Sequence, residues 1–425
     1  MRVFYLFAAL LLWQSLVSLR GGGRYLKFFR SELARPLPDF TPFASVMVPC
    51  RGIDQGFREN ISALFRQDYP RYELVFAFDD DADPALAVVE GIRRDFGGAP
   101  ARDAPPAASR TVVAGRAESS GQKVHNLRAA VREADPACEV FVFVDTDARP
   151  RADWLRSLVA SLADARVGAA TGYRWFVPTA RAGLASHLRA VWNATIASAL
   201  GEDARRNFCW GGSNAIRRET FERLDIPAEW RGALSDDYAM TRALRRAGLL
   251  ITFVPRCLTA SHEDCSWREL FEFTTRQLKI TRVYAPRLWH IVLASNLIFC
   301  SVFYGGIAVS ITHALRGQSF ALPLAFVATV FILGALKAHL RLRAVSRVLA
   351  REGVRLRGSE RAAHLTLWAL TAALFLYNAL AAAFSRRITW RGIGYELKSP
   401  TETVLTARIS DRATRGTPGD LGDNF

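Results

Sequence analysis

Three groups of carboxylates stand out by type and spacing. Asp79, Asp80 and Asp81, with Asp83 close behind, follow the apolar run YELVFAF. Asp145 and Asp147 flank Thr146 directly after EVFVFV, and Asp236 and Asp237 open the stretch DYAMTRALRRAG. A D-x-D after a strand places two hard oxygen ligands near each other, which suits Mg2+ or Mn2+ bridging to diphosphate oxygens. Such an ion would neutralise charge on a leaving nucleoside diphosphate. The same spacing also occurs in solvated turns. One carboxylate of the third pair could take the proton of an acceptor hydroxyl. Helix capping by Ser235 or Asp236 explains the same residues. Both hold together if Asp236 lies near the cap and Asp237 points into the site.

Other stretches supply possible partners. FCWGGSNAIR (208–217) places Gly211 and Gly212 beside Trp210, and small residues let the backbone approach a ligand closely. A tight turn without a ligand is the competing reading. His262, Glu263 and Asp264 form a polar cluster in which the histidine suits a structural role as well as a chemical one. WRELFEFTTRQLK (267–279) reads as an amphipathic helix, and Arg276, Lys279 and Arg282 could meet a diphosphate or lipid headgroups. Membrane-interface anchoring competes here, above all for Arg282 and Arg287. Neither GxGxxG nor GxxxxGK[ST] occurs, so bound phosphates need another counter-charge.

These side chains need a frame. Residues 44–49, 72–78, 111–114 and 139–144 read as strands, and 60–67, 84–95, 122–133 and 152–162 as helices. Residues 97–110 read as a loop and 167–177 as extended chain. The alternation predicts an α/β domain with a mainly parallel sheet and helices on both faces. Ligands of open α/β sheets bind outside the C-terminal strand ends, where the first two acidic clusters fall.

The flanks have a different character. Residues 3–19, 291–311, 317–336 and 365–385 carry no charge. Each is long enough, or nearly so, to cross a hydrocarbon core of roughly 30 Å as a helix. The first has no A-x-A site and is followed by Arg20, Arg24, Lys27 and Arg30, so it reads as a retained anchor with its C-terminal side in the cytoplasm. The chain of 425 residues carries 56 Lys+Arg against 40 Asp+Glu, a net charge of +16. Half its residues are hydrophobic, which excludes a disordered chain. Much of the basic excess lies at 337–361, with eight Lys/Arg against two Glu. Its helical spacing suggests an amphipathic helix on the inner leaflet, and a plain charged cytoplasmic loop fits nearly as well. No nucleic-acid-binding motif appears. Six scattered cysteines without a CxxC pair support no zinc site and fit a reducing compartment.

Taken in order, VPCRGID, LFRQDYPRYELVFAFDDDADPA, GQKVHNL, FVDTD, WGGSNAIRR, SDDYAMTRALRRAG and TTRQLK resemble the membrane-bound family-two glycosyltransferases of GT-A fold. The likeness is greatest to ceramide glucosyltransferases and related hopanoid-type bacterial enzymes, and runs from about Val46 to Pro286. The tail ITWRGIGYEL (388–397) is also similar to segments after the last membrane helices of such enzymes. The resemblance implies inverting transfer from a nucleotide-activated sugar. It gives Asp80 the place of the aspartate that contacts the nucleotide, with Asp79, Asp81 and Asp83 as competitors. It sets Arg51 beside the uridine, matches Lys123 and Asn126 to a K-x-x-N, and makes Asp145 the second aspartate, with Asp147 completing the D-x-D. Asp237 takes the place of the general base, and Trp210, Gly211, Gly212 and Asp236 fall in the acceptor region. One departure is plain: in the family's [Q/R]-x-x-R-W, Arg276 and Lys279 keep the cations while Ile280 replaces the tryptophan. That loss favours single transfer to a lipid.

The expectation is therefore an α/β, Rossmann-like GT-A domain at 40–285, after an N-terminal anchor at 1–20. A membrane region at 286–385 contains a basic cytoplasmic loop at 337–363, and a tail at 386–425 follows. The donor is UDP-glucose or UDP-N-acetylglucosamine, the acceptor a lipid hydroxyl, the cofactor Mg2+ or Mn2+, and the location a bacterial inner membrane with the domain cytoplasmic. A processive polysaccharide synthase and a non-catalytic sensor of nucleotide sugars are the alternatives. One inconsistency stands: three later crossings put the C-terminus outside, while Arg386, Arg387, Arg391 and Lys398 favour the inside. Segment 365–385, with Asn378 in its middle, is then re-entrant or interfacial.

Overall fold

The computed structural model describes residues 2–97 and 108–408. Most of the expected loop at 97–110 and the end of the tail lie outside the described residues. Seven strands form one sheet: β1 Ala44–Pro49, β2 Tyr72–Phe78, β3 Ala108–Val113, β4 Val140–Val144, β5 Val167–Phe176, β6 Ser213–Arg217 and β7 Leu250–Ser261. Their order is β3-β2-β1-β4-β6-β5-β7, and only β6 runs against its neighbours. The mostly parallel, Rossmann-like sheet expected from the sequence is present. The helices are α1 Arg2–Ala34, α2 Phe57–Leu64, α3 Pro84–Gly97, α4 Gln122–Arg132, α5 Trp154–Ala160, α6 Leu184–Ala197, α7 Arg218–Arg223, α8 Ile226–Glu229 and α9 Asp236–Arg246. After them come α10 Trp267–Tyr284, α11 Pro286–Leu315, α12 Ala321–Leu349, α13 Gly358–Thr366 and α14 Trp368–Phe384.

Strand periodicity divides the core. Val46, Val48, Leu74, Phe76, Val140 and Val142 face one side with Phe57, Ile61, Val89 and Leu155 from α2, α3 and α5. Met47, Val75, Phe141 and Phe143 face the other with Val124 and Leu127 of α4 and Met240 of α9. Burial on both faces is why these strands read as unbroken apolar runs. It fixes register, since a slip of one residue would exchange the faces, and so fixes where the strand-end aspartates emerge.

Among the described residues, three helices are long and apolar enough to cross a membrane: Phe4–Ala34, Pro286–Leu315 and Ala321–Glu352. Leu6, Leu297, Leu322 and Ile332 point outward from them. The fourth apolar segment is not straight, because α13 and α14 meet at 60°.

Two expectations change at these helices. The basic stretch at 337–363 is neither a leaflet-bound helix nor a plain loop. Its first half continues α12, where Leu342, Val345, Val348 and Leu349 pack with Tyr25, Leu26 and Phe29 of α1 against Trp175, Phe253 and Leu258 of the sheet. An apolar stripe at helical spacing suits a protein groove as well as a lipid surface, and here the groove takes it. Likewise α1 does not end near residue 20; its second half is a strut against the domain.

Past α14 the chain folds back. β8 Arg387–Trp390, β9 Ile393–Ser399 and β10 Glu402–Arg408 form an antiparallel sheet. Ile388, Ile393, Tyr395 and Leu397 pack on Leu234 and on Ile280 of α10. The close approach of Gly232, at φ +69, to the Thr401 carbonyl leaves no room for a Cβ. The tail is thus packed against the start of α9 and against α10.

Candidate active site

The site lies at the C-terminal ends of β1, β2 and β4, where α4 and α9 begin. α9 starts at Ser235, whose hydroxyl accepts from the Tyr238 N–H. This places Asp236 and Asp237 in the first turn, where unpaired N–H groups favour negative charge. The two carboxylates face different ways. Asp236 is buried, and its Oδ1 lies 3.3 Å from Lys123 Nζ. Asp237 is more accessible; its Oδ2 accepts from Gly211 N–H at 3.2 Å and its Oδ1 from Tyr238 N–H at 2.7 Å.

Lys123 joins the two halves of the site. At the start of α4, its Nζ is 2.8 Å from Asp145 Oδ1 and also reaches Asp236. Only 14% of its side chain is exposed. Burial alone would lower the ammonium, but Asp145, Asp236 and Asp237 outweigh that and raise it. Asp145 is held below the usual carboxylate range because Lys123 and Arg174 overcome its burial. Asp236 shifts the other way: burial, with Asp237 and Asp145 adding, raises it against the pull of Lys123. One cation thus serves two carboxylates in a confined space.

Asp147 pairs with Arg174 on β5 at 2.8 Å, and its Oδ1 is buried without a hydrogen-bond partner. Arg174 also lies over the Trp210 ring at 5.1 Å. Arg174 sits inside a strand with no acidic neighbour in sequence, so only its outward place in β5 marks it locally. Glu263 of the polar cluster lies 3.6 Å from Arg189 and carries a raised carboxyl, through burial and then the nearby Asp147.

The remaining residues fall into two sets. Arg51 reaches the site edge and pairs with Asp79; Asp80 pairs with Arg116 at 3.0 Å, and Asp83 accepts from the Gly52 N–H. Arg276 lies over Phe273 and Trp390 at 5.6 and 5.3 Å, and has no ion-pair partner among the described residues. Burial, with Arg174 and Arg391 adding, lowers its guanidinium to about 10. Two residues expected at the donor are engaged elsewhere. Asn126 is buried and donates towards the carbonyls of Cys50 and Ala77 at the ends of β1 and β2, while its oxygen accepts from Gln122. That geometry has it shaping the strand ends. Lys279 donates to the Arg387 carbonyl at 2.7 Å, so its charge holds the C-terminal sheet.

The glycines are required by space. A Cβ on Gly211 would lie 2.5 Å from Lys123 Nζ and 2.6 Å from Asp236 Oδ2. One on Gly212 would run into the Trp210 ring. Gly211→Ala should therefore displace Lys123 while the fold survives, since only side-chain ends must give. A shift of 1 Å in such a site costs about 100-fold. Activity should fall by at least about tenfold with a drop in Tm smaller than that for loss of the Lys123 charge, and near-normal turnover would show that the close approach has no catalytic role.

The sequence profile of glycosyl transferase family 21 matches residues 5–403, from the first helix through the C-terminal sheet. The chain belongs to glycosyl transferase family 21. Curated relatives align with this family 21 chain over shorter stretches. The ceramide glucosyltransferase of Gibberella zeae is 32% identical over 116 residues, 25% of this chain and 21% of that protein. Ceramide glucosyltransferase 3 of Caenorhabditis elegans is 28% identical over 93 residues, 22% of this chain and 18% of that protein. The aligned part thus spans about a fifth of the curated relatives' length. Among solved structures, a mannosyltransferase from Pyrobaculum calidifontis, in complex with GDP-mannose and Mn2+, superposes on the family 21 chain with a TM-score of 0.46. Identity is 20%, over 89% of this chain and 98% of that one.

Proposed function

We propose that this family 21 chain transfers a sugar from a nucleoside diphosphate sugar to a lipid hydroxyl, with inversion at the anomeric carbon. The observation that carries the reading is the bridge from Asp145 through Lys123 to Asp236, which fixes Asp237 beside the donor-side carboxylates. The three apolar helices and the partial matches to ceramide glucosyltransferases favour a lipid acceptor. UDP-glucose and UDP-N-acetylglucosamine are the donors to test first.

Asp237 accepts the proton as the hydroxyl oxygen attacks. The new C–O bond forms opposite the breaking bond to the diphosphate, which leaves with the electron pair. Arg276, a cation in no ion pair among the described residues, would meet the growing negative charge, and fixed charges at such a point lower the barrier. Holding donor and acceptor together contributes through orientation.

Asp145 and Asp147 are the residues that would hold Mg2+ or Mn2+. They fit: Asp147 Oδ1 is a buried carboxylate oxygen with no donor, and such ions are held by one or two carboxylates plus waters and substrate phosphates. Among the described residues no group of three or more His, Cys, Asp or Glu could hold the ion alone. When bound, it neutralises charge on the diphosphate.

The test is to incubate membranes with labelled UDP-sugars and ceramide, diacylglycerol, hopanoid or polyprenyl phosphate. One added sugar per lipid is expected; a polymer, or no nucleotide release with any pair, would overturn the reading. For topology, α11 and α12 crossing as a pair would return the chain to the catalytic side, and the bent α13–α14 would enter and leave there. Tags at residue 425 and at Glu118 should then label from the same face of the bilayer. Labelling from opposite faces would make the bent pair a full crossing.

A further inference from the structure

The C-terminal sheet takes no part in the reaction as derived so far, yet its turn reaches the donor side. β8 and β9 are joined by Arg391 and Gly392, at φ +47 and +74. A two-residue hairpin turn with both φ positive favours Asn or Gly, because an L side chain is strained there. Among the described residues only Arg391 and Asp225 are non-glycine residues of positive φ, and Asp225 caps a helix. Strain kept at a turn tip is a reason to ask what the side chain does.

Its guanidinium is tied to both donor loops. Nη1 donates to the Arg51 carbonyl at 2.7 Å, and Nη2 donates to Asp54 Oδ2 at 2.7 Å. The Arg391 carbonyl in turn accepts from Arg51 Nε at 3.1 Å. Asp54 Oδ2 also accepts from Thr146 Oγ1 at 3.0 Å, and Thr146 is the middle residue of the D-x-D. A continuous set of hydrogen bonds thus runs from the hairpin tip to the Asp145–Asp147 loop. The charges of Asp54, Asp147 and Asp145 all act on this guanidinium. Next to it, the Trp390 ring lies against the Arg276 guanidinium. Further along β9, the Tyr395 hydroxyl accepts from Gln122 N–H at the start of α4, one residue before Lys123.

We propose that the Trp390–Arg391 tip is a working part of the donor site, with Arg391 a positioning residue that holds the Arg51 loop and the D-x-D loop in register for a nucleoside diphosphate. The proposal rests on the donor reading above. Part of the donor pocket is then supplied by chain that lies beyond the membrane segments.

Glycine separates this from a structural role, because it adopts the turn without strain. In the full-length purified protein, Arg391→Gly should unfold close to the wild-type temperature. It should bind UDP at least about tenfold more weakly, a loss of about 1.4 kcal/mol, and donor KM should rise by a similar factor with acceptor KM unchanged. Arg391→Lys keeps the charge but not the two-armed fork, so it should not restore UDP affinity. Asp54→Asn, which weakens the same link from its other end, should give the same donor-selective loss. UDP affinity and donor KM within twofold of wild type in Arg391→Gly would overturn the proposal. So would a lowered Tm with both KM values raised equally, the mark of a clamp on the fold. If the wild type binds neither UDP nor GDP, the donor reading itself fails and takes this proposal with it.

Discussion

Asp237→Asn abolishes sugar transfer while UDP affinity stays within a few-fold of wild type. A positioned general base contributes about 100- to 10,000-fold, and the amide cannot take the proton. The amide has a single oxygen, so it keeps one of the two N–H bonds that the separate Asp237 oxygens accept from Gly211 and Tyr238. The fold should survive at a small cost in Tm, because the Ser235 hydroxyl still caps the Tyr238 N–H. Asp236 is a poor substitute: it is buried and turned towards Lys123. Transfer rate and UDP titration on the same preparation check this. Turnover within tenfold of wild type would remove Asp237 from the chemistry.

The second large effect is at Lys123. Lys123→Met leaves Asp145 and Asp236 close together with no cation between them. Breaking a buried ion pair by removing one partner costs about 3–5 kcal/mol, so Tm should drop sharply and transfer should be lost. Adding Asp236→Asn removes one stranded charge. The double variant should regain much of the stability and none of the activity. Recovery of both would mean that Lys123 only balances charge; recovery of neither would point to a packing role for its aliphatic stem.

How much of this was legible depended on distance along the chain. The strand-end aspartates were readable because an apolar run followed directly by Asp is local, and the parallel sheet turned that pattern into a place. The Asp236–Asp237 pair was readable for the same reason, with Ser235 as its cap. Arg391 was not, since its partners Arg51 and Asp54 lie more than 330 residues away. Arg174 was hidden by strand alternation, which gives the same pattern to a surface arginine as to one aimed at Asp147. The stretch from Lys337 is ambiguous in sequence for a related reason: helical spacing specifies an apolar stripe but not what covers it.

That covering has a mechanical consequence. From Lys337 to Leu349, α12 runs on for about 20 Å at 1.5 Å per residue, and α1 runs beside it into the same apolar seat. If the apolar halves of both helices cross a bilayer, these two rods of fixed length would set the height of the strand-end carboxylates above it, as a pair of rulers would. Deleting one residue from either rod would shorten it by about 1.5 Å and turn its end by about 100°, so the rods can change length only together. If the acceptor is the lipid proposed above, its hydroxyl must rise to a level that these rods already fix.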